Sequence, residues 1–139
     1  MKETILEVKN LNTSFNKDEG KIEVLDDVSF SLKKGKTLGI VGESGCGKSV
    51  TGLSIMRLLP KPIGHIDSGE VLLNEQDLLK LPIEDMHKVR GNDISMIFQE
   101  PMTSLNPVFK VGEQISEVLM LHKLLTKKQA WNRTIELLD

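Results

Sequence analysis

The sequence predicts an α/β fold, and three observations carry that expectation. Apolar and polar residues alternate near the amino terminus as they do in strands. A glycine-rich loop joins a short apolar run to a helix, and everything from Val111 onward has helical period.

The elements follow in order. Leu6 and Val8 alternate with Glu7 and Lys9, and Val28, Phe30 and Leu32 alternate with Ser29 and Ser31, so both stretches read as half-buried strands. Lys33-Lys34-Gly35-Lys36 is a polar turn leading into Thr37–Val41, a run suited to a buried strand. Ser49–Leu59 reads as a helix with Ile55, Met56 and Leu59 on one face and Pro60 at its end. Asp67-Ser68-Gly69 predicts a turn, and Glu70–Leu73 a strand after it. Pro82 to Arg90 forms a short helix with Ile83, Met86 and Val89 three apart and Gly91 past its end. Ile94–Phe98 is a second candidate core strand. Ile115, Val118, Leu119 and His122 then share one side of a helix. Thr126 with Gln129 three residues later predicts a capping box for another helix, whose apolar face is Trp131, Ile135 and Leu138.

Bulk properties narrow the function. At 139 residues, 39% hydrophobic and 27% charged, the chain is an ordinary globular length of sequence with room for a core. Its net charge of −2, with no acidic or basic tail, argues against a dedicated nucleic-acid partner and leaves room for a local basic patch. Cys46 is the single cysteine, so no internal disulfide forms, and a reducing compartment fits. The start is charged, unlike a signal peptide. The richest apolar stretch, Val118–Leu125, is interrupted by His122 and Lys123, so a membrane role would be peripheral.

Gly42-Glu43-Ser44-Gly45-Cys46-Gly47-Lys48-Ser49 matches G-x-x-x-x-G-K-[ST] at every fixed position. Glycines let the backbone curl so that successive amides point inward at an anion. The helix that follows aims the positive end of its dipole at the same place. Lys48 is expected to reach the β- and γ-phosphates of ATP or a close relative, and the Ser49 hydroxyl to ligate Mg²⁺. Cys46 has two readings, a thiol activated by the helix terminus or a small spacer contributing only its amide.

Gln99 stands where the run Ile94–Phe98 gives way to a loop. A neutral amide there either ligates Mg²⁺ and orients water, or is a surface glutamine at a strand end. At this point a family resemblance becomes specific. The phosphate loop, followed at this distance by Phe98-Gln99-Glu100-Pro101-Met102-Thr103-Ser104-Leu105-Asn106-Pro107, resembles the ATP-binding subunits of bacterial ABC importers. Within them it is most similar to the dipeptide, oligopeptide and nickel branch.

The resemblance covers essentially this whole chain and the front portion of the family's nucleotide-binding domain. It implies a P-loop NTPase (ABC ATPase) core with a parallel sheet carrying Thr37–Val41 and Ile94–Phe98. An antiparallel N-terminal β-subdomain and the beginning of a helical subdomain complete it, the whole truncated. Residues 1–110 would form the β-subdomain and phosphate-loop core, and 111–139 the start of the helical subdomain. Gln99 becomes the glutamine that contacts Mg²⁺ and takes a catalytic role with Lys48. Phe15 becomes the aromatic face stacked on adenine, with a core aromatic of the N-terminal strands as the other reading.

The implied partners are transmembrane permease subunits, a second ATPase subunit in a homo- or heterodimer and, indirectly, a peptide-binding protein; nucleic acid is not among them. The implied location is the cytoplasmic face of the bacterial plasma membrane. Turnover in this family also needs a Ser-Gly-Gly signature and an apolar strand ending in Asp-Glu. No Ser-Gly-Gly occurs here, and Ile135–Asp139 imitates the acidic strand with helical period. These residues are therefore expected to bind nucleotide without turning it over. His65, His87 and His122 show no metal spacing. Two other classes compete. Another P-loop enzyme would be a GTPase, which would show Asp-x-x-Gly and Asn-Lys-x-Asp, both absent, or a small-molecule kinase, which would need an acceptor pocket and lid; a DNA- or ribosome-associated ABC protein would commonly add a coiled coil or zinc cysteines.

Overall fold

The computed structural model describes residues 3–100 and 104–139. The chain divides into two compact units, Met1–Met86 and His87–Asp139, and each is described by itself.

The first unit is built on a four-stranded antiparallel sheet of order β2-β1-β3-β4. Strand β1 (Thr4–Lys17) and β2 (Gly20–Lys33) form a hairpin closed by the pair Lys17↔Gly20, which leaves Asp18 and Glu19 as its loop. On its other edge β1 pairs with β3 (Gly64–Leu73), and β3 turns through Asn74 and Glu75 into the short β4 (Gln76–Asp77). Asn74 and Glu75 both have positive φ, 47° and 68°, as a two-residue turn matched to strand twist requires.

Strand β3 starts earlier than the sequence suggests. Asp67-Ser68-Gly69 is not a turn but an irregular stretch within β3, facing bulges in β1. Asn10 and Asp27 take left-handed φ there, and their side chains hydrogen-bond. Asn12 donates to Ser68 Oγ at 2.9 Å and accepts from the Asp27 amide at 2.9 Å. Gly69 has φ +111°, and a Cβ on it would lie 2.7 Å from Asn10 O. Strand backbone crosses so closely at this point that no side chain fits.

Helix α1 (Lys48–Ile55) is shorter than predicted, because Arg57 turns left-handed, φ 53°, before Pro60 is reached. The predicted apolar face is nonetheless buried: Ile55, Met56 and Leu59 join Val8, Leu11, Leu25, Val71, Leu78 and Met86 in the core. Arg57 donates to the carbonyls of Leu78 and Leu81 at 3.1 and 2.6 Å, fixing the chain after β4. Helix α2 (Ile83–Val89) forms where predicted, buries Met86 and Val89, and leaves Gly91 past its end at φ +80°.

The two expected parallel core strands are a correction. Residues 37–41 and 94–98 belong to no sheet among the described residues; 94–98 contributes only an isolated bridge, Arg90↔Ile94. Val41 is 93% exposed and Ile97 96%. An apolar run becomes a buried strand only where a neighbouring ladder takes up its amides and carbonyls, and none does so among the described residues.

In the second unit, helix α3 (Val111–Lys123) packs against α4 (Lys127–Leu138). The seam is made of small residues: Ala130 is fully buried, and the Ser116 and Thr134 hydroxyls meet at 3.0 Å. The rings of Trp131 lie 3.1 Å from where a Cβ on Gly112 would be. The predicted apolar faces are used in part: Ile115, Leu119 and His122 are half-buried and the Trp131 ring lies over Gly112, while Val118, Ile135 and Leu138 are exposed. The capping box forms as predicted, with Thr126 accepting from the Gln129 amide.

Candidate functional site

The glycine-rich loop leads into the first turn of α1, as its motif demands. Gly45 and Gly47 take φ of 85° and 92°, and Gly47 is the N-cap of α1. Both values lie in the left-handed region where glycine carries no Cβ penalty. At Gly47 the requirement is also steric, because a Cβ would lie 2.8 Å from Leu25 Cδ2 and 3.2 Å from Val24 O. The loop therefore sits directly on β2.

Among the described residues, the only amide from Ser44 to Ser49 that donates to protein is that of Cys46, to Glu43 O at 3.4 Å. The others stand open at the positive end of the α1 dipole. Lys48 curls back over the loop, its ammonium donating to Gly42 O at 2.7 Å and Glu43 O at 2.6 Å, with Cys46 Sγ at 3.5 Å. Ser49, in the first turn of α1, is exposed. Thus an ammonium, a hydroxyl and a row of open amides share one exposed loop. Such a set of donors suits a multiply charged anion.

Two contacts that sequence reasoning did not find hold this loop in place. Thr51 is buried and donates through Oγ1 to Gly47 O at 3.0 Å, while its amide bonds the same carbonyl at 2.8 Å. One turn on, Ser54 Oγ meets Thr13 Oγ1 of β1 at 3.0 Å, both buried. Hydroxyl residues inside a helix carry no periodic signal, so neither position stood out.

Phe15 belongs to the same unit, paired across the sheet with Ile22 and Gly64. Its ring is half-buried, with Cε1 3.2 Å from where a Cβ on Gly64 would be. Gln99 belongs to the second unit and is exposed at a bend. Pro101, Met102 and Thr103 of the family-like segment lie outside the described residues. Its remainder is organised by a residue the sequence did not single out. Gln114 of α3 accepts from the Asn106 amide at 2.9 Å and donates to the carbonyls of Asn106 and Phe109, each at 3.0 Å.

Among the histidines, His65 bonds Asn16 through Nε2 at 3.0 Å, and His122 lies over Gly91. No group of His, Cys, Asp and Glu able to hold a metal occurs among the described residues. Asp67 is kept below the usual carboxylate range chiefly by its hydrogen bond from Lys21, at 2.8 Å.

Residues 25–139 match the ABC transporter family. The chain is 51% identical over 135 residues to the oligopeptide transport ATP-binding protein OppD of Bacillus subtilis, covering 97% of this chain and 38% of that one. It is 48% identical over 137 residues to the dipeptide transport ATP-binding protein DppD of the same organism, covering 99% and 41%. The chain thus spans about two fifths of the length of these curated relatives. Among solved structures it resembles the dimeric MJ0796, a bacterial ABC transporter cassette, at TM-score 0.77 and 24% identity, over 94% of this chain and 54% of that one. A post-hydrolysis state of the same cassette bound to ADP and Pi gives a TM-score of 0.80 at the same identity and coverage.

Proposed function

Because this chain belongs to the ABC transporter family, we propose that its glycine-rich loop holds the phosphates of ATP in the ATPase subunit of a bacterial peptide importer. The observation that carries the reading is the loop itself. Its amides stand open at the head of α1, and Gly45 and Gly47 adopt the curl an anion nest requires.

The reading gives each of these residues a part. Gly42, Glu43, Ser44, Gly45, Cys46 and Gly47 supply backbone around the phosphates. Lys48 supplies the cation there and a catalytic charge. Ser49 supplies a hydroxyl for Mg²⁺, and Gln99 is assigned the second neutral ligand and the positioning of water. When bound, Mg²⁺ neutralises charge on the outer phosphate oxygens. Phe15 offers an aromatic face to adenine. Cys46 is best read as a spacer, since Gly42 approaches it so closely that a Cβ there would lie 2.4 Å from Sγ.

In the whole protein, residues 1–110 serve as the β-subdomain and phosphate-loop core, and 111–139 open the helical subdomain. That protein pairs with a second ATPase subunit, binds permease subunits at the cytoplasmic face of the bacterial plasma membrane, and drives uptake of di- or oligopeptides delivered by a binding protein. The names of the relatives, oligopeptide and dipeptide transport ATP-binding proteins, support that cargo class. No helix of the described residues is long and apolar enough to cross a membrane, which accords with a peripheral role. The test is equilibrium binding of MgATP to the 139 residues and to Lys48→Ala. Loss of charge-assisted hydrogen bonds predicts affinity about ten- to a hundredfold weaker. Unchanged affinity would overturn the assignment.

A further inference from the structure

Glycine at position 47 gives the phosphate loop its curl, with φ 92° and ψ 0°, but it also leaves the peptide that follows lightly restrained. That peptide matters. It carries the Lys48 amide, the first N–H of α1, which has no protein acceptor among the described residues. A planar trans peptide holds its C=O and N–H in opposite directions. Whatever fixes the Gly47 carbonyl therefore aims the Lys48 amide.

Two donors fix that carbonyl, and both belong to Thr51. Its amide bonds Gly47 O at 2.8 Å, as the first turn of an α-helix requires. Its hydroxyl adds a second bond to the same oxygen at 3.0 Å, from a residue only 5% exposed. Helix preference does not ask for this residue. A threonine bonded back to the preceding turn slightly weakens a helix, and burying its hydroxyl loses hydration that a valine never had. On the other side β2 closes against Gly47, where a Cβ would lie 2.8 Å from Leu25 Cδ2 and 3.2 Å from Val24 O. With its α-carbon against the sheet and its carbonyl held by Thr51, the peptide between Gly47 and Lys48 keeps one orientation. Its N–H is directed out of the head of α1.

We propose that Thr51 is a positioning residue for phosphate binding: its hydroxyl aims the Lys48 amide at the anion. By drawing electron density onto the Gly47 carbonyl, the same bond makes that amide a stronger donor. The role rests on the nucleotide reading of the loop and extends it to a side chain beyond the glycine-rich motif. Because the hydroxyl is committed to Gly47 O, it acts through one peptide, on the phosphates and not on the base.

Equilibrium binding of MgATP and of inorganic triphosphate is measured on the 139-residue chain, on Thr51→Val and on Thr51→Ser, with urea unfolding of each. Thr51→Val keeps the shape and removes the hydroxyl. It should weaken both ligands by the same factor, about three- to tenfold, the contribution of one hydrogen bond. Thr51→Ser should restore most of that affinity. In the unchanged chain, inorganic triphosphate should move the Lys48 amide proton downfield in an amide-resolved NMR spectrum, and Thr51→Val should shrink the movement. A hydroxyl that served only the helix would lower the urea midpoint and leave affinity and the Lys48 resonance alone. That result overturns the proposal. So does equal weakening by Thr51→Val and Thr51→Ser, or a Lys48 amide that stays put in the unchanged chain, a measurement that needs no variant to fold. Lys48→Ala separates the two readings. If it binds weakly while Thr51→Val binds normally, only the positioning role falls; if Lys48→Ala binds normally, the nucleotide assignment falls with it.

Discussion

Thr13 of β1 and Ser54 of α1 share a hydrogen bond of 3.0 Å between fully buried hydroxyls, and it ties the helix behind the phosphate loop to the centre of the sheet. Thr13→Val alone leaves the Ser54 hydroxyl buried without this partner, at a cost of about 1–3 kcal/mol. Adding Ser54→Ala removes the orphaned group and should recover much of that loss. Urea unfolding of the two singles and the double measures the coupling; strictly additive losses would show that the pair does not interact.

Gly47 is under a double constraint, its φ of 92° and the approach of Leu25 and Val24. Gly47→Ala should destabilise the first unit by about 1–3 kcal/mol and weaken nucleotide binding together, because the strain falls on the N-cap of α1. Gly35→Ala provides the control. It too is left-handed, φ 68°, but meets nothing within 4 Å, so it should lower stability and leave nucleotide affinity intact.

Phe15→Ala separates adenine stacking from folding. The ring edge touches β3 at Gly64 but is only half-buried. ATP affinity should fall by about 1 kcal/mol or more while inorganic triphosphate affinity holds. Equal losses for both ligands would assign the ring to the sheet instead.

Asp67 gives the pH dependence its sign. Lys21 depresses the folded-state carboxyl below its ordinary value, so the ionised form stabilises the native state. That contribution is complete above the unfolded value and disappears as pH falls from about 4 through the depressed folded value. Lys21→Met removes the largest part of it. In acid titrations followed by circular dichroism the variant should unfold at slightly higher pH than the parent, by a small margin because the pair is largely solvated.

The 139 residues should bind MgATP yet hydrolyse it at background, since they hold no Ser-Gly-Gly and no apolar strand ending in Asp-Glu. Phosphoryl transfer without its full set of positioned charges loses several orders of magnitude in rate. A phosphate-release assay decides; sustained turnover would contradict the expectation.

Local chemistry was legible in the sequence wherever a short pattern determines its own conformation. The loop from Gly42 to Ser49 could be read because its glycines and Lys48 act through backbone within a few residues. The capping box of Thr126 and Gln129 could be read because both partners lie in one turn. What only the tertiary structure decided depends on neighbours distant in the chain. Thr37–Val41 and Ile94–Phe98 have the composition of core strands, but hydrogen-bonded pairing, not hydrophobicity, makes a strand, and here neither joins a sheet. Helices α3 and α4 close on Ser116, Ala130 and Thr134 and leave Val118 and Ile135 exposed, because close backbone approach selects small side chains that periodicity does not reveal. Thr13 and Ser54, forty-one positions apart, meet only once the sheet and α1 have packed.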